Sequence, residues 1–206
     1  MKKNKLDVIV TILLIIIGIA LFSYIGYVIY NDFLKKSSED IVIKNLELYG
    51  YSLQESDTEL YKTEFDNLSN ILNKETINFE EYAKSISKLY IIDFYTLSNK
   101  ISNTDIGGLE FIYPSLKDNF KLKAKDTIYK YIEVNYNGKR EQKLPEVSEV
   151  DIEEIKEDKY KIGEEEEFNS YIVNVKWSYA EDLGYQTSAK LTIINDSSKL
   201  YIVESE

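Results

Sequence analysis

The residue types that carry most enzyme chemistry are restricted in this chain. Its 206 residues include no His and no Cys, which excludes Ser-His-Asp and Cys-His catalysis, conventional zinc sites and disulfides. Asp and Glu number 36 against 25 Lys and Arg, so the net charge is −11 at pH 7. Because binding to a phosphate backbone needs clustered basic side chains, this balance argues against nucleic acid as a partner.

Carboxylates are the most abundant groups left for chemistry, but their spacing does not define a site. Residues 164–167 are four consecutive Glu and offer the oxygen ligands that Ca²⁺ prefers, yet they lack the spaced acids and the Gly turn of a calcium loop. The same run is typical of a solvated hairpin loop whose charge opposes strand pairing. Glycoside hydrolysis needs two acids that converge in one cleft, and no pair stands out here. The sequence therefore predicts no metal and no cofactor.

The loop of residues 103–108 (NTDIGG) combines an acid with two glycines. Backbone N–H groups beside paired glycines can cradle an anion, which makes Asp105, Gly107 and Gly108 candidate contacts for a ligand. Neither a P-loop nor a dinucleotide-binding pattern is met. A tight turn between two helices, in which a glycine adopts a positive φ, is the other interpretation of this loop.

Aromatic residues alternate along the later part of the chain, where Tyr171, Trp177 and Tyr179 share one parity. These side chains could line a ligand pocket or contact a partner. Alternation of large apolar residues along a strand is also typical of a buried face. On that interpretation Trp177 is expected to pack on the helix that begins at Phe79.

Helical patterns occupy the middle of the chain. A Ser-x-x-Glu capping box at residues 56–59 predicts the start of one helix. A wide apolar stripe with spacings of three and four predicts a second helix over residues 79–98. A third helix is expected to begin near Pro114 and to bury Tyr131.

From Val147 onward the apolar residues recur with a period of two, which is typical of strands with one buried face. Helices followed by consecutive strands with short links predict an α+β fold. We expect about three helices packed on a C-terminal antiparallel meander of about four strands. Residues 41–54 fit either a strand or a helix broken at Gly50.

Residues 8–30 form a run of 23 uncharged and mostly apolar residues. As a helix this run would be roughly 34 Å long, enough to cross a hydrocarbon layer of about 30 Å. A cleaved signal peptide would have a shorter apolar region and small residues at its cleavage site. A helix that is apolar on all sides can also lie in the core of a larger domain. The length of the run and the lack of a pair of small residues at cleavage-site spacing where it ends favour an uncleaved transmembrane signal anchor.

Three lysines precede the apolar run, and an excess of Lys at one end predicts that this end is cytoplasmic. Residues 1–7 would then be a cytoplasmic tail, residues 31–56 a stalk and linker segment, and residues 57–206 an extracytoplasmic α+β domain. The residues beyond the run carry a net charge of −13. Anionic lipid would repel them, so the anchor alone would hold this single-pass protein at the cell membrane.

Three segments of the predicted meander are residues 173–177 (VNVKW), 191–194 (LTII) and 200–203 (LYIV). Together with the predicted helices before them, these strands give residues 57–206 an order of elements that resembles the cone-shaped α+β fold of nuclear-transport-factor-like domains. A single span before such a domain is similar to the bitopic scaffold proteins of bacterial type IV secretion and conjugation systems. Two features depart from that fold, because no strand is found between the second and third helices and residues 41–54 would be an addition. Enzymatic members of the family use a His-containing acid–base set, so a chain without His has no catalytic residue to carry over.

These features together predict a non-catalytic module of the bacterial cell envelope that acts through protein–protein contact and is anchored in the bilayer by residues 8–30. Its partner would be an envelope protein. Two other functions remain open. One is a small-ligand-binding or sensing domain with a cavity beneath the sheet, on the face that holds Tyr171 and Trp177. The other is a carboxylate-dependent hydrolase, which requires two acids that converge in one cleft.

Overall fold

The computed structural model describes residues 5–29, 42–163 and 166–206. Its elements are, in chain order, α1 (Lys5–Ile29), β1 (Val42–Leu46), β2 (Tyr51–Gln54), α2 (Glu59–Leu72), α3 (Phe79–Tyr95), a 3₁₀ helix (Pro114–Leu116) that leads directly into α4 (Lys117–Asp126), β3 (Val147–Ile162), β4 (Glu166–Tyr179), β5 (Ser188–Asp196) and β6 (Lys199–Ser205). The chain divides into two compact units, one that contains α1 and one that contains all the other elements. We call the second unit, residues 41–206, the body.

α1 covers most of the apolar run near the N-terminus, and its described side chains are those of residues 14–27, all of them exposed. Across the described part of the chain, no helix is long and apolar enough to cross a membrane. The predicted span over residues 8–30 has both ends outside the described side chains. Residues 1–4 of the predicted tail and 31–41 of the predicted stalk lie outside the described residues. The anchor, tail and stalk therefore stay predictions.

Within the described residues, an antiparallel sheet of four strands runs in the order β3-β4-β5-β6, so that neighbours in the chain are neighbours in the sheet. The α+β class and the C-terminal meander predicted from the sequence are thereby confirmed. The register places Val173 of β4 opposite Ile155 of β3 and Leu191 of β5. Side chains of one parity from these strands therefore share the face that packs on the helices, where Val173 and Leu191 are fully buried.

α3 lies against this face and forms the centre of the core. It begins after Asn78, whose side-chain oxygen accepts hydrogen bonds from the backbone N–H groups of Glu80 and Glu81. Eleven of its 17 residues are buried. A helix with this much apolar surface needs cover on two sides, and here the sheet and α2 provide it.

β1 and β2 form a separate antiparallel hairpin, which decides between the strand and helix interpretations of residues 41–54. Gly50 has a φ of +64° in the turn, a conformation that residues with a Cβ rarely adopt. Tyr51 is fully buried. Its hydroxyl is hydrogen-bonded to that of Tyr82 at 2.7 Å and donates to the carbonyl of Leu200 at 3.1 Å. These two bonds fasten the hairpin to α3 and β6.

The start of α2 differs by a few residues from the predicted capping box. α2 begins at Glu59. The hydroxyl of Thr58 accepts a hydrogen bond from the backbone N–H of Tyr61 at 3.2 Å. The N-cap is therefore Thr58 and not Ser56, because only Thr58 directly precedes the first helical residue.

The third predicted helix is shorter than its spacing indicates. α4 ends at Asp126, and Tyr131 is 75% exposed where the helical pattern predicts that it is buried. Thr127 has φ −119° and ψ −103°, and its hydroxyl donates to the carbonyl of Lys123 at 2.7 Å. A hydroxyl that bonds to its own backbone in this way competes with continuation of the helix. The chain then turns Tyr129 inward, where it is fully buried.

The β3–β4 hairpin is longer than its neighbours. β3 and β4 remain paired as far as Ile162 and Glu166, whereas β4 pairs with β5 only from Ser170 onward. The distal half of the hairpin therefore extends past the part of the sheet that packs on α3.

A small apolar cluster on the other face of the sheet holds this distal half in place. Phe168 and Ile194 are buried there, although neither belongs to the main core. The ring of Tyr113 lies 6.3 Å from that of Phe168, and the hydroxyl of Tyr160 donates to Glu204 at 2.9 Å. What we call the outer cluster consists of Tyr113, Phe168, Ile194 and Tyr201.

Trp177 lies on the face of β4 that packs on the helices and is 2% exposed. Its ring centroid is 4.4 Å from that of Tyr95, on α3. The expectation that alternation buries Trp177 against the helix beginning at Phe79 is thereby confirmed.

Trp177→Ala should lower the free energy of unfolding of the body by about 3–5 kcal/mol, because removal of a buried aromatic ring leaves a cavity that its neighbours fill only in part. Denaturant unfolding of the full chain in detergent micelles, followed by circular dichroism, measures the change. Lys176→Ala is the matched control, since Lys176 is the preceding residue of the same strand and is exposed. Equal unfolding midpoints for the two variants would contradict the packing of Trp177.

Candidate functional site

Asp93, near the end of α3, organises the loop that follows the helix. Its carboxylate accepts a hydrogen bond from the N–H of Gly108 at 2.5 Å and forms an ion pair with Lys100 at 2.5 Å. Gly107 passes so close to α3 that a Cβ at this position would clash with the carbonyl oxygen of Asp93, and Gly108 has a φ of +75°. The two glycines predicted as anion contacts are thus required by a close approach of two backbone segments.

Asp105, the third residue of this loop that was predicted to contact a ligand, interacts with the backbone of the same loop. It accepts a hydrogen bond from the N–H of Ile101 at 2.8 Å. Burial alone would lower the pKa of Lys100, but the carboxylate of Asp93, through its charge and its hydrogen bond, raises that pKa above its usual value, with Asp105 adding to the effect. Lys100 is therefore charged, and its ammonium group is committed to Asp93.

Tyr129 connects this loop to the end of α3. Its buried hydroxyl donates to the carbonyl of Phe94 at 2.7 Å and accepts from the N–H of Gly107 at 3.1 Å. Burial and the nearby carboxylate of Asp93 raise the pKa of Tyr129, so the phenol stays protonated and serves as both donor and acceptor. The Asp93 network, as we name it, consists of Asp93, Lys100, Gly107, Gly108 and Tyr129.

Glu110 is a partly buried acid that joins the β1–β2 hairpin and α2 to the segment between α3 and α4. Its carboxylate accepts hydrogen bonds from the hydroxyl of Tyr61 at 2.9 Å, from the N–H of Ser52 at 3.1 Å and from the hydroxyl of Ser52 at 3.4 Å. Burial raises the pKa of Glu110 to about 7, although these hydrogen bonds favour the charged form. Sequence reasoning missed Glu110, because a single Glu in an irregular segment has no neighbours that distinguish it.

The three aromatic residues predicted as ligand or partner contacts make contacts inside the body. Tyr171 and Trp177 are buried, and the hydroxyl of Tyr179 donates to the carbonyl of Gln186 at 2.7 Å. Their role as contacts for another molecule stays a prediction.

An open groove with a volume of about 420 Å³ lies between α3, α4 and β6, and we call it the α4 groove. Its floor is aromatic, since the ring centroid of Phe94 lies 5.5 Å from that of Tyr90 and 5.1 Å from that of Phe120. Trp177 supports the floor indirectly, because it packs on Tyr95, which also lines the groove. A mostly apolar opening of this size is within the range of ligand sites.

A second groove of about 380 Å³ adjoins the first at Thr127, which lines both. We call it the Tyr131 groove, and its apolar lining includes Ile128, Tyr131, Leu144 and Tyr185. Two adjoining grooves form a surface that can hold an extended ligand.

Three charged side chains line the α4 groove, and two of them, the acids, interact with other residues of the chain. Glu204 accepts a hydrogen bond from Tyr160 at 2.9 Å, and Glu206 forms an ion pair with Lys190 at 2.5 Å. Lys123 forms no ion pair with any described residue. The lining of this groove therefore combines two acidic side chains with one lysine that forms no ion pair within the described part of the chain.

Lys123 is one of five lysines on α4 and the turn after it that form no ion pair within the described part of the chain, at positions 117, 121, 123, 125 and 130. Residues 114–143 carry eight basic and four acidic side chains, whereas the rest of the body carries 12 basic and 28 acidic ones. Residues 114–143 are thus a basic segment of an acidic body. We use the name α4 surface for the two grooves together with these five lysines, of which Lys123 lines the α4 groove.

Comparison of the chain with protein-family models, with curated proteins and with solved structures finds no match. The function therefore has to be inferred from the chain's own sequence and geometry.

Glu110→Gln tests the raised pKa of Glu110. The folded protein keeps this carboxyl protonated up to about pH 7, whereas an unfolded chain releases the proton near pH 4.5. The stability that it contributes is present below pH 4.5 and is lost as the pH rises through about 7. Gln cannot ionise, so the melting temperature of the variant relative to the parent should rise between pH 5 and pH 8.

Glu149→Gln is the control for this experiment, because Glu149 is an exposed acid of β3. Its melting temperature relative to the parent should stay nearly constant over the same pH range. If the Glu110 and Glu149 variants follow parallel profiles, the carboxyl of Glu110 is not the group that titrates near neutrality.

Lys100→Met should lower the free energy of unfolding by about 3–5 kcal/mol, because it leaves the carboxylate of Asp93 partly buried without a counter-ion. The double variant Asp93→Asn, Lys100→Met should recover part of the loss in denaturant unfolding. Lys84→Met is the control, since Lys84 pairs with two acids at the surface, and its cost should be under about 1 kcal/mol. Equal costs for the two single variants would show that the Asp93 network contributes no more than a surface pair.

Proposed function

We propose that this protein is a membrane-anchored, non-catalytic module of the bacterial cell envelope and that it acts through protein–protein contact. The observation that carries the proposal is the α4 surface, in which two apolar grooves share Thr127 and the exposed side chain of Tyr131 lines one of them. The centres of protein interfaces are enriched in aromatic residues. Contiguous exposed apolar surface on a folded domain marks a contact site.

The anchoring part of the proposal is supported by the N-terminal run. Residues 8–30 are uncharged over 23 positions, and α1 exposes the described side chains of residues 14–27. An exposed apolar helix is stable in lipid, because it satisfies its own backbone hydrogen bonds. The three lysines before the run favour a cytoplasmic N-terminus and a body outside the membrane.

The order of the elements supports the resemblance to nuclear-transport-factor-like domains. α2, α3 and α4 precede the antiparallel meander. The segment between α3 and α4 contacts β6 through an isolated parallel bridge between Ile112 and Ile202. We therefore include in the proposal that the body is a domain of this type and that the chain is similar in layout to the bitopic scaffold proteins of type IV secretion and conjugation systems. A scaffold role agrees with a surface that binds another protein.

A second candidate function is the binding of a small amphipathic molecule in the α4 groove. The observation that favours it is an aromatic floor, formed by Phe94 and Phe120, beside Lys123, which forms no ion pair with a described residue. Small-ligand sites are mostly apolar with a few polar groups that fix orientation. Such a ligand would lie between the helices and the edge of the sheet, and not beneath the face that holds Trp177.

A photo-crosslinker at Tyr131 tests the proposed function in intact membranes. Benzoylphenylalanine at this position should give a discrete adduct with an envelope protein on irradiation, because the side chain is exposed beside the Tyr131 groove. The same substitution at Lys176, exposed on the sheet, is the control and should not give that adduct. Absence of a protein adduct at Tyr131, with a small molecule recovered from the protein by mass spectrometry, would contradict the proposal and favour the second candidate.

A further inference from the structure

A groove of about 570 Å³ lies between the start of α3 and the sheet, and we call it the Tyr171 groove. Phe79, the first residue of α3, is half-buried and forms the helix side of the lining. The other lining residues belong to β3, β4 and β5. A groove of this volume is within the range of ligand sites, and strands hold side chains more precisely than loops do.

Five lining residues of the Tyr171 groove have the parity of the sheet face that packs on the helices. They are Glu157 and Lys159 of β3, Asn169 and Tyr171 of β4, and Asn195 of β5. Glu157 lies opposite Tyr171 in the register, and Lys159 lies opposite Asn169. Asn195 shares this parity on the next strand. Polar side chains from three neighbouring strands therefore meet on one side of the sheet.

Most hydrogen-bonding groups on this side are not committed to other residues. The side chains of Glu157, Tyr171 and Asn195 form no hydrogen bond with a described residue, and the hydroxyl of Tyr171 is not enclosed. Asn169 accepts from the ammonium of Lys159 at 2.5 Å, which leaves its amide N–H groups to donate. Burial and the carboxylate of Glu157 raise the pKa of Tyr171, so its hydroxyl keeps its proton and can donate.

The charges that line the Tyr171 groove favour an uncharged ligand. Glu157 and Lys159 share one side of the sheet and have opposite charges. Asp158, the third charged residue of the lining, has the other parity and accepts a hydrogen bond from the N–H of Lys159 at 2.8 Å. A phosphate group would bring about two negative charges towards one ammonium group that already donates to Asn169.

A sugar ring complements this lining. Its hydroxyl groups both donate and accept hydrogen bonds, which matches a carboxylate, two amides and a phenol. Its C–H face is apolar and packs on an aromatic ring, which Phe79 supplies on the helix side. Six of the eight lining residues are polar or charged, so an apolar peptide side chain would cover groups with which it cannot form hydrogen bonds.

We propose that the Tyr171 groove binds an uncharged saccharide. The C–H face of one sugar ring lies on Phe79. Hydroxyl groups of the ring accept from Tyr171 and Asn169 and donate to the carboxylate of Glu157, and the amide of Asn195 bonds a further hydroxyl. This site goes beyond the proposed function and does not depend on the α4 surface, because it gives the body a contact with a polysaccharide in addition to a protein.

Titration of the full chain with soluble tetrasaccharides, followed by saturation-transfer difference NMR, tests the inference. The probes are chitotetraose, cellotetraose and maltotetraose, and the micelles are made of a detergent without a sugar head group. At least one probe should bind. Glu157→Ala, Asn169→Ala should weaken that binding about tenfold or more, because two side chains lose hydrogen bonds to the ligand. Tyr171→Phe, which keeps the buried ring and removes one hydroxyl, should weaken it about fivefold.

Glu154→Ala, Asn174→Ala is the matched control, because it removes the same two residue types from the same two strands. Glu154 and Asn174 lie opposite each other on the other side of the sheet, where the amide of Asn174 donates to Glu154 at 3.1 Å. This variant should change the affinity by less than about twofold.

Three results would overturn the inference. The first is that none of the three tetrasaccharides binds the parent chain. The second is an equal loss of affinity in the two double variants. The third is that spermidine binds as tightly as the best tetrasaccharide and with the same dependence on Glu157 and Asn169, which would assign the groove to a cation.

Discussion

The close approach of the 101–108 loop to α3 determines where the candidate surface lies. Gly107 permits this approach because it has no Cβ, and Asp93 holds it through the N–H of Gly108. The same loop hydrogen-bonds Tyr129, which is bound in turn to the carbonyl of Phe94. α4 immediately precedes Tyr129 in the chain, so it is kept beside the end of α3, and the α4 groove is the space that remains between them. A surface that faces solvent therefore depends on a polar contact beneath it.

Features that arise from short-range periodicity could be predicted from the sequence. The spacing of three and four residues predicts α3, the alternation predicts β4, and the burial of Trp177 follows from its parity on that strand. Boundaries that depend on distant contacts could not be predicted. The helical pattern after Pro114 continues past Thr127, but α4 stops there and Tyr129 turns towards Phe94, a residue 35 positions earlier in the chain.

The candidate site could be predicted in its composition but not in its geometry. The basic character of residues 114–143 is visible in the sequence, whereas which acids of other elements line the α4 groove depends on the fold. Glu110 shows the same difficulty, because its raised pKa results from burial, and its partners Ser52 and Tyr61 are 58 and 49 positions away. Gly107 and Gly108 meet a steric requirement and Asp105 accepts a backbone hydrogen bond of its own loop, and a sequence pattern cannot separate such roles from a role in binding.

The outer cluster gives the body a second, smaller set of apolar contacts, on the side of the sheet away from α3. The free energy needed to open a segment reflects the contacts that this segment alone loses. The distal half of the β3–β4 hairpin loses mainly the packing of Phe168 and the hydrogen bond between Tyr160 and Glu204. It can therefore detach as a local cooperative unit while Val173 and Trp177 stay packed. Amide hydrogens near residues 158–162 would then exchange with solvent through this local opening, and those near the centre of β4 only through global unfolding.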